Sequence, residues 1–327
     1  MIIRTLAALF ACGALALAGE GRASWMKDRK WGVMTHYLAD WKTQTDHINI
    51  SVDEWNRLVD GFDVEALADQ LHGAGASWYQ ISLGQNSGYY LAPNPTYERI
   101  TGQSGKCAHR DLVSDLYAAL HKRGIRLAVY LPSGAPNNDE KAVAALEWRN
   151  GPFPNREFQT KWEAIIRDWS QRWGTKVSAW WFDGCYFPNS MYRSKAAPNF
   201  ESFAAAARSG NPDAALAFNP GVVYRILSMT PYEDFTAGEI DKPDLVSIRR
   251  SVDGLMDGVQ IQMLSFLGEK WGIGQPRFTA DDVIRYSQKV WNNGGAVTWD
   301  APVELDGRLP TAFVTQLTAL GKISGKH

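Results

Sequence analysis

Seven short apolar runs recur along the chain at roughly thirty- to fifty-residue intervals, most of them followed by a stretch with helical spacing, and this alternation constrains the fold more than any other feature. The runs are WGVMTHY at 31–37, WYQISLG at 78–84, RLAVYLP at 126–132, VSAWWFD at 177–183, AALAFNP at 214–220, GVQIQMLSFL at 258–267 and GGAVTW at 294–299. Helical spacing falls between them at 63–76, 110–125, 158–173, 200–209 and 280–292, with a last helix from about 310. A strand that is apolar without interruption is buried on both faces, which is the condition of a strand in a parallel sheet covered by helices. Repeated strand-then-helix units imply right-handed crossovers. Seven or eight of them in one chain favour an α/β fold of the (β/α)8 TIM-type barrel, regular or irregular, over a doubly wound sheet. The first run is not followed by GxGxxG, which counts against a dinucleotide fold. The simplest organisation is one barrel domain over residues 24–327.

The residues before that domain read differently. Residues 1–23 carry one early positive charge at Arg4, an apolar run at 6–18 and small residues suited to cleavage after Ala18 or Ala23. That is the pattern of a secretory signal peptide, so the expected location is secreted or periplasmic, with no membrane span after cleavage. A net charge of −1 with both signs scattered gives no basic stripe for nucleic-acid phosphates. Cys107 and Cys185 would be the cysteines left after cleavage, open to a disulfide or to two buried free thiols. Oligomeric state is not readable from the sequence.

In a parallel barrel, side chains just beyond the carboxyl ends of the strands meet in one pocket. Here they are His36, Gln85, Asn86, Tyr130, Asp183, Asn219, Trp299 and Asp300. This set is one of carboxylates, amides and aromatics. Six histidines, no two at metal-ligand spacing, do not suggest a zinc site, and no metal or cofactor is implied. GxSxG and GxxxxGK[ST] are also missing from the sequence. Carboxylate chemistry flanked by aromatics is what glycoside hydrolysis requires: one acid attacks or activates water, and the other protonates the leaving oxygen. Asp183, a short side chain at a rigid strand end between aromatics, suits the nucleophile. Its partner is expected in the loop EDFTAGEIDKPD at 233–244, where Glu239, after Gly238, is preferred to Glu233. Fourteen Trp and twelve Tyr also supply flat rings on which a sugar can stack.

The order of these segments resembles the α-L-fucosidase family of retaining glycoside hydrolases. KWGVMTHYL at 30–38 is similar to that family's opening strand, which implies that His36 contacts the sugar. DEWNRLVDGFDVEALADQLHGAGASWY at 53–79 and RDLVSDLYAALHKRGIRLAVYLP at 110–132 look like its next units and place Tyr130 at an active-site tyrosine. In VSAWWFDG, Asp183 falls on the nucleophile and Trp181 on the tryptophan two residues before it. Gln85 and Asn86 stand where the family usually has a pair of sugar-binding histidines. NNGGAVTWDAPVELDGRLP at 292–310 resembles the late strand, with Trp299 among the expected substrate contacts. The resemblance implies an exported, metal-independent exo-glycosidase that removes a terminal fucose or related sugar by double displacement. A carbohydrate-binding protein derived from this fold and no longer catalytic is the alternative, and an inverting hydrolase a third. In each case the expected partner is a glycan or oligosaccharide.

Overall fold

The structure, a computed structural model, describes residues 21–48, 50–153, 155–186, 193–248 and 251–325. Most of the expected signal peptide therefore lies outside the described residues. The apolar runs form the strands β1 (Trp31–Thr35), β2 (Trp78–Ser82), β3 (Arg126–Pro132), β4 (Ala179–Asp183), β5 (Ala215–Phe218), β8 (Gln262–Phe266) and β9 (Ala296–Asp300), and a small hairpin, β6 (Leu255–Met256) with β7 (Val259–Gln260), precedes β8. The seven pair in parallel in the order β5-β4-β3-β2-β1-β9-β8, and the sheet curls so that β5 and β8 are its edges.

Residues 234–240 fill the gap between those edges. On one side the amides of Asp234 and Phe235 donate to the Leu216 carbonyl of β5. On the other, Thr236 N donates to Gln260 O at 2.9 Å, Ile240 N to Leu264 O at 2.9 Å and Leu264 N to Gly238 O at 2.9 Å. This irregular eighth position closes the sheet into a barrel. The sequence presents it as a polar loop, because charged and small residues stand where a regular strand carries apolar ones. Asp234 and the adjoining Glu233 do backbone work: Asp234 Oδ2 accepts from Leu216 N at 2.9 Å and Glu233 Oε2 from Phe218 N at 3.4 Å, satisfying edge donors of β5 that lack a strand partner.

Inward positions alternate with outward ones along every strand. Inside, alanines at 128, 179, 215, 217, 237 and 296 make room for the indoles of Trp78 and Trp181. Gly32 serves the same end, since a Cβ there would come within 2.4 Å of the Trp78 ring. The Trp78 N–H donates to Thr298 Oγ1 at 3.0 Å, which leaves the buried indole satisfied. The short helix α1 (Ser24–Arg29) covers the amino-terminal end, where Ala23 and Met26 join the interior cluster.

Outside, helices cover the sheet as the spacing predicts. After α2 (Ala39–Thr45) and α3 (Val52–Asp60), α4 (Val64–Ala74) is N-capped by Asp63 and stopped by Gly75 in the left-handed region. The helices α5 (Pro95–Thr101), α6 (Leu112–His121) and α7 (Glu140–Leu146) lead to α8 (Arg156–Trp173), which buries Phe158, Trp162, Ile165, Ile166 and Trp169. Each such side chain stabilises the fold by about 1.5–3 kcal/mol through apolar burial. Among the described residues, the α-helices that follow are α9 (Phe200–Ala207), α10 (Ala280–Trp291) and α11 (Thr311–Ser324). Cys107 and Cys185 are both buried and free, so the second of the two sequence alternatives holds. Burial pushes the Cys185 thiol up to about 12, out of reach of ordinary thiolate chemistry.

Candidate active site

Strand parity decides which side chains reach the carboxyl end of the barrel interior. On β4 the inward series is Ala179, Trp181, Asp183; on β5 it is Ala215, Ala217 and then Asn219; on the closing segment it is Phe235, Ala237 and then Glu239. Three polar groups from three adjacent positions thus arrive together. Asn219 Nδ2 donates to Asp183 Oδ1 at 2.7 Å and to Glu239 Oε2 at 2.6 Å. Two oxygens bound to one nitrogen lie within about 5.3 Å of each other, the two bonds end to end. Retaining glycosidases hold their two carboxyl groups about 5–5.5 Å apart, whereas inverting ones need about 6.5–9.5 Å.

The two acids stand in different surroundings. Asp183 also accepts from the Tyr130 hydroxyl at 2.6 Å and from the Gly184 amide at 2.7 Å, so donors from three segments converge on its carboxyl group. The Glu239 carboxyl takes its hydrogen bond from the Asn219 amide. Burial first, and then the negative charge of Asp183, push it up to about 7 against the opposing effects of Asn219 and His36. Glu239 keeps its proton near neutrality, as a general acid must, while hydrogen-bond donors fix the position of its neighbour Asp183, as a nucleophile requires.

Tyr130 Oη donates to a carboxylate, so it can only accept from Gln85 Nε2, at 2.8 Å. This fixes the Gln85 amide, and its buried Oε1 has no partner among the described residues, which makes it an acceptor for a substrate hydroxyl. Asn86 lies beside it along a cleft of about 240 Å³ that reaches Asp183 and the half-exposed Tyr186. Across the site, His36 Nδ1 bonds Asp300 Oδ1 at 2.8 Å, and Gly272 N donates to the other oxygen of Asp300 at 2.5 Å. Asp300 thereby orients the imidazole and leaves Nε2 for a ligand. Trp271 and Trp41 flank that ring, at centroid distances of 6.1 and 6.4 Å.

Four of the sequence expectations change. Trp299 does not reach the pocket: it sits one position out of phase with the inward Thr298 and Asp300, lies in the layer between sheet and helices, and donates to Ser287 Oγ of α10 at 2.9 Å. Trp181 points inward but is buried beneath Tyr130, stacked at 5.4 Å with its N–H on the Ala237 carbonyl, so it supports the tyrosine rather than lining the cleft. Glu233, the alternative acid, is 4% exposed, and its oxygens are taken by the amides of Phe218, Met229 and Thr230. Gly238 has a different use from the one expected: it lets the backbone approach β8 rather than a ligand, with φ +58° and a Cβ there only 2.0 Å from the Gln262 carbonyl. Trp41, Trp271 and Tyr186 are not among the residues the sequence singles out, although each follows a strand end within a few residues, where aromatics in a parallel barrel can reach the pocket.

Two outcomes are expected from this geometry. Asn219→Ala removes the donor shared by both acids and lowers kcat/KM by about 10- to 100-fold. Because Asn219 lowers the Glu239 pKa, the alkaline limb of the pH–rate profile also moves to higher pH, a shift that a purely structural role would not produce. Gly238→Ala combines left-handed strain of about 1–3 kcal/mol with a backbone clash, so thermal stability and turnover fall together. Melting curves and kinetics of the purified variant check this.

No protein-family model matches the chain, and no curated protein does. Solved structures do resemble it. The endo-fucoidan hydrolase P5AFcnA from glycoside hydrolase family 107 superposes with a TM-score of 0.71 at 16% identity, covering 93% of both chains. The alpha-L-fucosidase AlfC from Lactobacillus casei, in complex with alpha-L-fucose product, gives 0.64 at 14% identity over 93% of this chain and 98% of its own. A GH29 alpha-L-fucosidase from Bacteroides thetaiotaomicron gives 0.61 at 16% over 92% and 73%. At these identities the likeness establishes the fold, an irregular TIM-like barrel shared with fucose-acting glycoside hydrolases.

Proposed function

We propose that the protein is a retaining exo-glycosidase acting on a terminal α-L-fucoside or a closely related sugar. Asp183 attacks the anomeric carbon; Glu239 protonates the leaving oxygen and then, as a base, takes a proton from the water that hydrolyses the glycosyl-enzyme. The observation that carries this reading is the single Asn219 nitrogen bonded to both carboxylates, together with the proton Glu239 keeps up to about 7. A protein that only binds glycans gains nothing from such a difference between two adjacent acids. His36 and Gln85 Oε1 supply polar contacts for sugar hydroxyls, and Trp271 with Trp41 supply an apolar wall for a 6-deoxy sugar. The fold it shares with fucose-acting enzymes supports the choice of sugar.

Hydrolysis of an aryl α-L-fucoside followed by proton NMR tests it. Retention gives α-L-fucose as the first-formed anomer, which then mutarotates. First-formed β anomer, or no turnover of any aryl glycoside, contradicts it. Export to the periplasm or medium is part of the proposal, supported by the residue pattern at 1–23. Amino-terminal sequencing of exported protein reads the cleavage point, and an intact Met1 in a cytoplasmic fraction would count against export.

A further inference from the structure

Trp148 lies outside the catalytic pair, and nothing in the chemistry above uses it. It is half-buried at the end of α7 and forms the wall between two hollows: the cleft that holds Asp183, and a neighbouring cavity of about 390 Å³. Its ring is held still from several sides. The indole N–H donates to Asn137 Oδ1 at 2.9 Å, and Phe158 packs against it at 4.5 Å between centroids. Gly134 lies so close that a Cβ there would come within 2.8 Å of Cζ2. The next residue is pinned as well, with Arg149 N donating to Asn155 Oδ1 at 2.9 Å and Asn155 Nδ2 returning to Arg149 O at 2.9 Å. An aromatic face fixed in this way, between a catalytic cleft and a hollow lined with polar groups, costs little ordering when a flat ligand stacks on it.

We propose that Trp148 is the platform of a second sugar site, which binds the leaving-group side of an oligosaccharide whose terminal sugar sits at Asp183. This rests on the glycosidase reading above. The occupant is uncharged. Among the described residues, the hollow beyond Trp148 is lined by Glu140, Glu147 and Glu157 against the single cation Arg149, and the Glu147 carboxylate already holds Lys161 at 2.6 Å. Among the described residues that line the cleft itself, Asp183 is the one charged side chain. A sulfated glycan would meet repulsion here with one guanidinium to offset it, whereas a neutral sugar meets hydrogen-bonding groups and an aromatic face.

The test compares wild type with Trp148→Ala on an array of fucosylated oligosaccharides, unsulfated and sulfated, beside the affinity for free L-fucose and the turnover of α-L-fucosyl fluoride. The fluoride leaving group is too small to reach Trp148, so wild-type turnover of it reports on the glycosidase reading separately. The expected result is a loss of about 10- to 100-fold in affinity for unsulfated oligosaccharides, by analogy with aromatic stacking of bases, exceeding any change for fucose by at least tenfold. Trp148→Phe, which keeps the packing on Phe158, should recover part of it. Equal loss for fucose and for oligosaccharides in both variants, or no oligosaccharide bound more tightly than fucose by the wild type, overturns the site. Tighter binding of sulfated than unsulfated glycans overturns its neutral character.

Discussion

Asp183→Ala lowers the turnover of α-L-fucosyl fluoride by about 10⁴-fold or more, as expected when a nucleophile that works in concert with its neighbours is removed. The fold survives, because Asp183 is only partly buried and, with Gly184, lines a cleft that water can enter. Asp183→Asn keeps one acceptor oxygen, for Asn219 and Gly184, and serves as the isosteric control. Azide should partly rescue the alanine variant by occupying the vacated position and attacking the anomeric carbon, giving the β-glycosyl azide. Activity within tenfold of wild type in both variants would remove Asp183 from the chemistry.

Glu239→Gln has its largest effect where the leaving group needs a proton. With an unactivated alcohol as leaving group, kcat/KM falls by about 10²- to 10⁴-fold; with fluoride or a nitrophenolate the first step is much less affected. The pH dependence gives the sign independently. A general acid must be protonated in the free enzyme, and Glu239 holds its proton up to about 7, so wild-type activity on such substrates declines above that pH by about tenfold per unit. In Glu239→Gln this alkaline limb disappears. Azide restores turnover of an activated substrate by Glu239→Ala with retained configuration, the opposite stereochemistry to the Asp183 rescue. Glu233→Gln should leave the limb in place, because that carboxyl is committed to the amides of Phe218, Met229 and Thr230. Loss of the limb in Glu233→Gln instead would exchange the two assignments.

The strands are readable in the sequence because both of their faces are buried, which forces a continuous apolar code, and Asp183 stands out as the first charge after such a run. Residues at the very end of a strand are less secure, because the code leaves one residue of freedom there. Trp299 and Asp300 both end β9, and only the parity set by Ala296 and Thr298 tells that the acid points in and the tryptophan out. The closing segment 234–240 is opaque for another reason: it makes strand-like hydrogen bonds through isolated contacts, and its core side chains Phe235, Ala237 and Ile240 are interrupted by Asp234, Thr236, Gly238 and Glu239, which breaks the continuous apolar run of a regular strand. Glu239 therefore reads as a loop residue in the sequence and stands on a barrel wall in the fold, which is what gives it a fixed place beside Asp183. Asn219 is visible as a strand-end amide, but its shared donation to two acids depends on three segments far apart in sequence and has no local signature. Trp271 and Tyr186 come from loops, where nothing periodic announces which side chain turns inward.

The central claim is that Asp183 becomes covalently bonded to the sugar. Incubation with 2-deoxy-2-fluoro-α-L-fucosyl fluoride, which slows breakdown of a glycosyl-enzyme more than its formation, followed by intact-mass and peptide mass spectrometry, tests it directly. The predicted result is one fluorosugar per chain, on the peptide that contains Asp183. A fluorosugar on a peptide containing Glu239 or Glu233, or none on a preparation that hydrolyses α-L-fucosyl fluoride, would contradict it.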